Sequence, residues 1–176
     1  MPKVSVILTI YNQAEFVRDA VSSVLGQSFT DLELIAVDDG SEDDSFEILA
    51  SFSDPRLRRV RQKNRGVGAA RNRGFKLCKG AYVNFLDGDD YFGPEKLARQ
   101  VEVLDSSPEI GLVFCDVIMV GSDGRPLSDY TVKSGLRPFS ENLLAALLAG
   151  GFMPPHAVLM RREVFQQVGM FEEDRS

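Results

Sequence analysis

The chain reads as an α/β protein: a Rossmann-like, mainly parallel sheet flanked by helices, with a mixed second half. Three observations predict this. The apolar runs at 4–10, 32–37 and 81–86 are near-continuous, as in strands buried on both faces. Helical patterns separate the strands, so the first half runs strand, helix, strand, helix, strand, helix, strand. Two of the runs stop abruptly in acids, Asp38-Asp39 and Asp87-Gly88-Asp89-Asp90, and in an open α/β sheet ligands bind outside the carboxyl ends of the strands.

Val4 to Ile10 is the first strand, followed by Tyr11-Asn12 and a helix from about Gln13 to Leu25 with Phe16, Ala20, Val21, Val24 and Leu25 on one face. Gly26 stands where a helix cap is expected. Leu32 to Val37 is the second strand. Ser41 is placed to cap the next helix, with Asp43 and Asp44 set against its dipole and Phe46, Ile48, Leu49 and Phe52 as apolar cover. Leu57 to Val60 is a short third strand, and a Gly-rich turn from Asn64 to Gly68 opens a helix that ends near Cys78-Lys79-Gly80. The fourth strand is Ala81 to Leu86, and each crossover between parallel strands is expected to be right-handed.

In the second half, Pro94 suits the first position of a helix running to about Leu104. Gly111 to Val120 reads as one strong strand, Ser122-Asp123-Gly124 as a turn, and Tyr130 to Lys133 as its return partner. Ser140 is placed to cap a helix over Leu143 to Leu148. After Pro154-Pro155-His156 come a short strand, Ala157 to Met160, and a helix over Arg162 to Val168.

Asp87, Asp89 and Asp90 repel one another unless a cation or donated hydrogen bonds offset their charge. Hard divalent cations such as Mg²⁺ and Mn²⁺ typically take one or two carboxylates together with substrate phosphates. The plain alternative is a solvated acidic turn. An EF-hand fails on spacing: counted from Asp87, the turn position falls on Phe92 and the bidentate position on Ala98. Because parallel strands share a direction, the Asp38-Asp39 and Asp87–Asp90 ends converge on one edge, where one set can meet a base or ribose and the other a metal on a diphosphate.

Other chemistries are excluded. Gly66-Val-Gly68-Ala-Ala-Arg71 nearly matches GxGxxG, but Arg71 replaces the third glycine and the first strand–helix turn carries Tyr11-Asn12 instead. No GxxxxGK[ST] and no GxSxG elbow is present, and the one histidine, His156, leaves little for a hydrolase triad. The sequence has 20 basic and 26 acidic residues, a formal charge of −6, which disfavours nucleic acid as a partner. The basic segment Arg56, Arg58, Arg59, Arg61, Lys63, Arg65, Arg71 and Arg73 suits either a smaller polyanion or a salt-bridged face. Cys78 and Cys115 are too few for a disulfide framework and point to a reducing cytoplasm. No apolar run is long enough for a signal peptide or a membrane span.

Together, Val4-Ser-Val-Ile-Leu-Thr-Ile-Tyr-Asn12, Val37-Asp-Asp-Gly-Ser41, Asn64-Arg-Gly66 with Ala70-Arg-Asn-Arg-Gly74, and Phe85-Leu-Asp-Gly-Asp-Asp90 resemble the family 2 inverting glycosyltransferases of the GT-A fold. The tail is similar too, in His156, Arg161-Arg-Glu-Val-Phe165 and Val168-Gly-Met-Phe-Glu-Glu173. The resemblance covers essentially the whole chain. It implies one GT-A domain over 1–176, with a nucleotide-binding half at 1–90 and the start of an acceptor-binding half at 91–176. Thr9 and Tyr11 would line the base pocket, Asp39 would accept from the base and Asp38 would support its turn. Arg71 would contact the nucleotide and Asp87 would lie by the ribose. Asp89 would hold Mn²⁺ or Mg²⁺ on the donor's two phosphates, offsetting charge on the departing diphosphate, with Asp90 beside it. His156 would belong to the acceptor side.

The implied donor is a nucleotide-diphosphate sugar, with UDP favoured. The implied acceptor is a glycan, glycolipid or related molecule, with peripheral membrane association left open. An inverting displacement needs a carboxylate base near the acceptor hydroxyl. In the family it follows the Gly-x-Phe-Asp/Glu-Glu segment by roughly ten residues, so it is expected beyond Ser176, and Glu172, Glu173 and Asp174 are poor substitutes. A C-terminally truncated, donor-binding fragment with little transfer activity is therefore the alternative reading. A sugar-nucleotide nucleotidyltransferase is the third, disfavoured because Tyr11-Asn-Gln-Ala lacks a basic Gly-rich signature.

Overall fold

The computed structural model describes residues 1–121, 124–132 and 154–173, with the side chains of 128–132 left out of account. Four strands and three helices alternate first: β1 (Val4–Ile10), α1 (Val17–Leu25), β2 (Leu32–Asp38), α2 (Ser45–Ala50), β3 (Leu57–Arg61), α3 (Gly66–Leu77) and β4 (Tyr82–Asp87). Next come α4 (Lys96–Ser106), β5 (Leu112–Phe114), β6 (Val117–Val120) and β7 (Pro126–Val132). A 3-10 turn (Pro155–Ala157), β8 (Val158–Arg161) and α5 (Arg162–Val168) close the described chain.

The main sheet has the order β3-β2-β1-β4-β8-β5. Strands β1 to β4 are mutually parallel, whereas β8 runs antiparallel to both β4 and β5. The path steps outward from β1 to β3 and then returns to the other side of β1, so strand order reverses between β1 and β4. That reversal is the point where an open α/β sheet leaves a crevice at its carboxyl edge.

The apolar runs are near-continuous because each strand feeds two cores. Val4, Val6, Leu8 and Ile10 of β1 face Val17, Ala20, Val21 and Val24 of α1 and Leu97, Val101 and Leu104 of α4. Ile7 joins Ile35, Val37, Ala70, Phe75, Val83, Phe85 and Phe165 on the opposite face, under α3 and α5. The exposed edge strand β3 carries Arg58 and Arg59, charges that blunt an edge against pairing with another chain. Its arginines bind their own chain: Arg59 donates to Ala50 O and Phe52 O, and Arg61 to Ser41 O. Arg56 pairs with Asp54 at 2.9 Å. Arg56, Arg59 and Arg61 of the basic segment are thus engaged within the chain.

Several boundaries differ from the sequence reading. Helix α1 begins at Val17 rather than Gln13, because residues 13–16 form a turn stitched to the α2 loop: Gln13 N donates to Ser45 Oγ and Ala14 N to Asp43 Oδ2. Ser41 does not cap α2, whose N-cap is Asp44; its hydroxyl instead accepts from Asn12 N at 3.0 Å. Helix α4 starts at Lys96, two residues after Pro94.

The single strand expected over Gly111 to Val120 is two. β5 ends at Phe114, where Cys115 N turns to donate to Ala157 O, and β6 leaves to pair antiparallel with β7 in a separate two-stranded sheet. The return strand is Pro126–Val132, longer than Tyr130 to Lys133 suggested. The helix expected over Leu143 to Leu148 and its Ser140 cap lie outside the described residues. No described helix is long and apolar enough to cross a membrane.

Candidate functional site

The β1–β2 and β1–β4 registers set Ile10 beside Asp38 and Thr9 beside Asp87. Both acid-terminated strands thus flank the end of β1. A cleft of about 430 Å³ opens there, lined by Thr9, Tyr11, Gln13, Asp39, Asn64 and Val67, and by Asp87 and Asp89. Its size suits a small-molecule ligand.

At one end stands Asp39. Its carboxylate accepts from Gln62 Nε2 at 2.7 Å and from the Arg65 amide at 3.1 Å. Asp38 is fully buried beneath it, accepting from Ser41 N at 3.3 Å, with Arg61 Nε 3.0 Å from its other oxygen. It braces the turn and does not line the cleft. The β1 loop is fixed from the same side: Asn12, at φ 52, accepts from Glu42 N while its own amide donates to Ser41 Oγ. Tyr11 is left 46% exposed over the opening, free to lie against a planar group.

At the other end Asp87 accepts from the Thr9 hydroxyl at 3.0 Å and from Arg71 Nη2 at 2.8 and 2.9 Å on its two oxygens. Arg71 stands behind Asp87 rather than lining the cleft. Asp89 also lines it, yet among the described residues its carboxylate has no hydrogen bond or ion pair. A Cβ on Gly88, between the two acids, would meet the end of the Gln13 side chain, which would have to swing aside. Asp90 reaches the second half of the chain, with its Oδ2 2.7 Å from His156 Nδ1. His156 is seated firmly: Asn84 Nδ2 donates to its carbonyl at 3.1 Å and also to Val158 O.

The described residues contain no cluster of three or more His, Cys, Asp or Glu that could hold a metal by itself. One unpartnered carboxylate facing a cleft fits a cation that takes most of its remaining ligands from a bound phosphate ester. Glu173 does not stand ready as a base: its oxygens accept from Arg65 Nη2 at 2.7 Å and Asn72 Nδ2 at 3.1 Å.

Of the residues singled out from sequence, Thr9, Tyr11, Asp39, Asp87 and Asp89 share the cleft. Asp38 and Arg71 brace it, whereas His156 does not line it and pairs instead with Asp90. Gln13, Asn64, Val67 and Gln62 were missed. A signal for Gln62 existed, since it follows the third parallel strand and must emerge at the same edge as Asp38, to whose carbonyl its amide donates.

An acid-lined cleft at the switch point of a mainly parallel sheet, with an antiparallel second half, is the GT-A arrangement of glycosyltransferases. A solved structure with this fold is S. aureus TarS, residues 1–349, in complex with UDP-GlcNAc: TM-score 0.78 and 25% identity, covering 97% of this chain and 49% of that one. The mannosyltransferase PcManGT of Pyrobaculum calidifontis, in complex with GDP-Man and Mn²⁺, shares the fold at TM-score 0.72 and 21% identity, covering 97% and 48%.

The glycosyl transferase family 2 model matches residues 5–169, and the chain belongs to that family. An uncharacterized glycosyltransferase of Nostoc sp. is 36% identical over 173 residues, which is 94% of this chain and 53% of the relative. Bacillus subtilis EpsJ, also an uncharacterized glycosyltransferase, is 32% identical over 181 residues, 99% of this chain and 52% of EpsJ. The chain therefore spans about half the length of these relatives.

Proposed function

We propose that this chain supplies the donor site of an inverting glycosyltransferase that moves a sugar from a nucleotide-diphosphate donor, UDP-sugar first, to a glycan or lipid-linked acceptor. The carrying observation is the pair of acid-terminated strands on either side of β1, closed into one cleft with a braced carboxylate at one end and, at the other, one without a partner among the described residues. Asp39, aimed by Gln62 and the Arg65 amide, is the acceptor for a base N–H, with Thr9 and Tyr11 around it. Asp87, held by Thr9 and Arg71, suits a ribose hydroxyl. Asp89 is the residue that would hold Mn²⁺ or Mg²⁺. When bound, the cation would offset negative charge on the departing diphosphate. UDP is favoured by the 25% identical TarS, solved with UDP-GlcNAc.

In this reading residues 1–90 bind the donor and 91–176 begin the acceptor side, where His156 stands. The free thiols Cys78 and Cys115 suit a cytoplasmic location. A second reading, a donor-binding module with little transfer, is favoured by the engagement of Glu173 with Arg65 and Asn72. The base is then sought outside the described residues.

The test is calorimetric titration of UDP, GDP and dTDP with and without Mn²⁺, repeated on Asp89→Ala. Tight binding of UDP that needs Mn²⁺ and weakens at least about tenfold in the variant supports the site. Failure of all three nucleotides to bind folded protein overturns it.

A further inference from the structure

The segment after α5 returns across the molecule and lies on the first turns of α3, the helix that carries Arg71. Asn72, 2% exposed, grips it by the backbone: its Oδ1 accepts from Phe171 N at 3.0 Å and its Nδ2 donates to Phe171 O at 2.9 Å. The same amide donates to Glu173, which also pairs with Arg65 at 2.7 Å. Gly68 belongs to this seat, because a Cβ there would strike the carbonyl of Glu172. The second glycine of the Gly66-Val-Gly68 turn thus makes room for the chain's own strap.

The strap delivers one side chain inward. The Phe171 ring packs edge-on against Phe85 at 5.0 Å and tilts on Phe165 at 5.3 Å. Its face lies 5.3 Å from the Arg71 guanidinium carbon, within cation–π range. Arg71 Nε is buried and has no hydrogen-bond partner among the described residues. The guanidinium is therefore held at two places, by the Asp87 carboxylate on the cleft side and by the Phe171 ring on the other.

We propose that Phe171, clamped by Asn72, is a positioning residue that fixes Arg71 and through it Asp87. The Gly169–Glu173 strap would then set the geometry of the nucleotide end of the cleft without touching the ligand. This rests on the donor-site reading above. It predicts that donor affinity responds to substitutions in a segment that lines no part of the cleft.

Two measurements on Phe171→Leu test it, with Phe171→Tyr as the ring-preserving control. In the first, the Arg71 Nε–H resonance is followed by NMR in the absence of nucleotide. The native and Tyr proteins should show a slowly exchanging signal displaced by the ring current, and the Leu variant should lose both properties while the backbone amide spectrum stays native-like. In the second, UDP is titrated with Mn²⁺. The Leu variant should bind about three- to tenfold more weakly, the size expected for a cation–π contact, and this loss should vanish when the substitution is made in an Arg71→Met background.

Loss of equal size in both backgrounds, or an Arg71 signal unchanged in Phe171→Leu, overturns the proposal. If the native protein binds no nucleotide, the donor-site reading fails by itself, and the NMR comparison alone decides whether Phe171 holds Arg71.

Discussion

Thr9 and Asp87 are register partners across the parallel β1–β4 pair, and the Thr9 hydroxyl donates to Asp87 Oδ1 at 3.0 Å. Two adjacent strand ends are thereby joined where the sheet reverses its order. Thr9→Val keeps the shape and β-branching but deletes this donor, leaving Asp87 to Arg71 alone. Hydrogen bonds to charged groups are worth roughly 1.5–3 kcal/mol. Part of that will be recovered by water in the open cleft, so UDP affinity should fall about three- to thirtyfold with little change in melting temperature. Unchanged affinity would mean that Arg71 alone sets Asp87.

Gln62 makes the corresponding prediction at the opposite end. Its amide donates to Asp39 at 2.7 Å, the one side chain among the described residues that does so. Gln62→Met preserves length and apolar character while removing the donor, and should weaken UDP binding by about 1–2 kcal/mol. The readout that matters is the ratio of UDP to GDP affinity. If Asp39 meets the base, loosening it should narrow that ratio, whereas equal loss for both nucleotides would place Asp39 away from the base.

The parts of fold and site legible in the sequence share one property: they depend on local pattern. Strands β1, β2 and β4 announced themselves because burial on both faces demands continuous apolar residues. The convergence of Asp38-Asp39 with Asp87–Asp90 followed from strand direction alone. The failures are where a distant segment overrides local preference. Ser41 has the chemistry of a cap, yet its hydroxyl is taken by Asn12, 29 residues away. Gly111 to Val120 is apolar but for Asp116, yet β5 has a partner in β8 only as far as Phe114. Asn72 and Phe171 lie 99 residues apart, and no periodicity links them. The same holds for His156 and Asp90, 66 residues apart in sequence, where Asn84 of β4 helps hold the turn before β8.

The aromatic cluster under α3 and α5 gives a stability prediction. Phe165 lies 4.4 Å from Phe75 and 5.2 Å from Phe85, centroid to centroid, and is 8% exposed. Phe165→Ala removes a large side chain from a closed cluster, which typically costs about 3–5 kcal/mol. Denaturant unfolding should show a lowered midpoint at nearly constant slope, the product of slope and midpoint shift giving a loss of that size. A loss under about 1 kcal/mol would mean that α5 packs loosely on the sheet.

Lys96 supplies a prediction whose sign depends on pH. It opens α4, donates through Nζ to Gln100 Oε1 at 2.8 Å and lies 4.2 Å from the Phe92 ring centroid. Burial pulls its pKa down to about 8, with the nearby Cys115 thiol acting weakly in the other direction. In the unfolded chain a lysine titrates near 10.4. Below about pH 8 both states are protonated, and the folded state bears the cost of a partly desolvated ammonium, offset in part by Gln100 and the Phe92 ring. Between about 8 and 10.4 the native protein has released a proton that the unfolded chain still holds, so this group's contribution to stability rises with pH. Cys78 acts oppositely, since burial pushes its thiol up to about 11 and the native state keeps a proton that the unfolded chain loses. The comparison that isolates Lys96 is therefore variant against native protein. Lys96→Met retains the apolar stem and leaves Gln100 Oε1 without its donor, which trims the gain. It should stabilise the protein by about 1–3 kcal/mol at pH 7, and the advantage should fade to near zero by about pH 10.5. An advantage that stays flat across that window would show that packing, and not the buried charge, sets the difference.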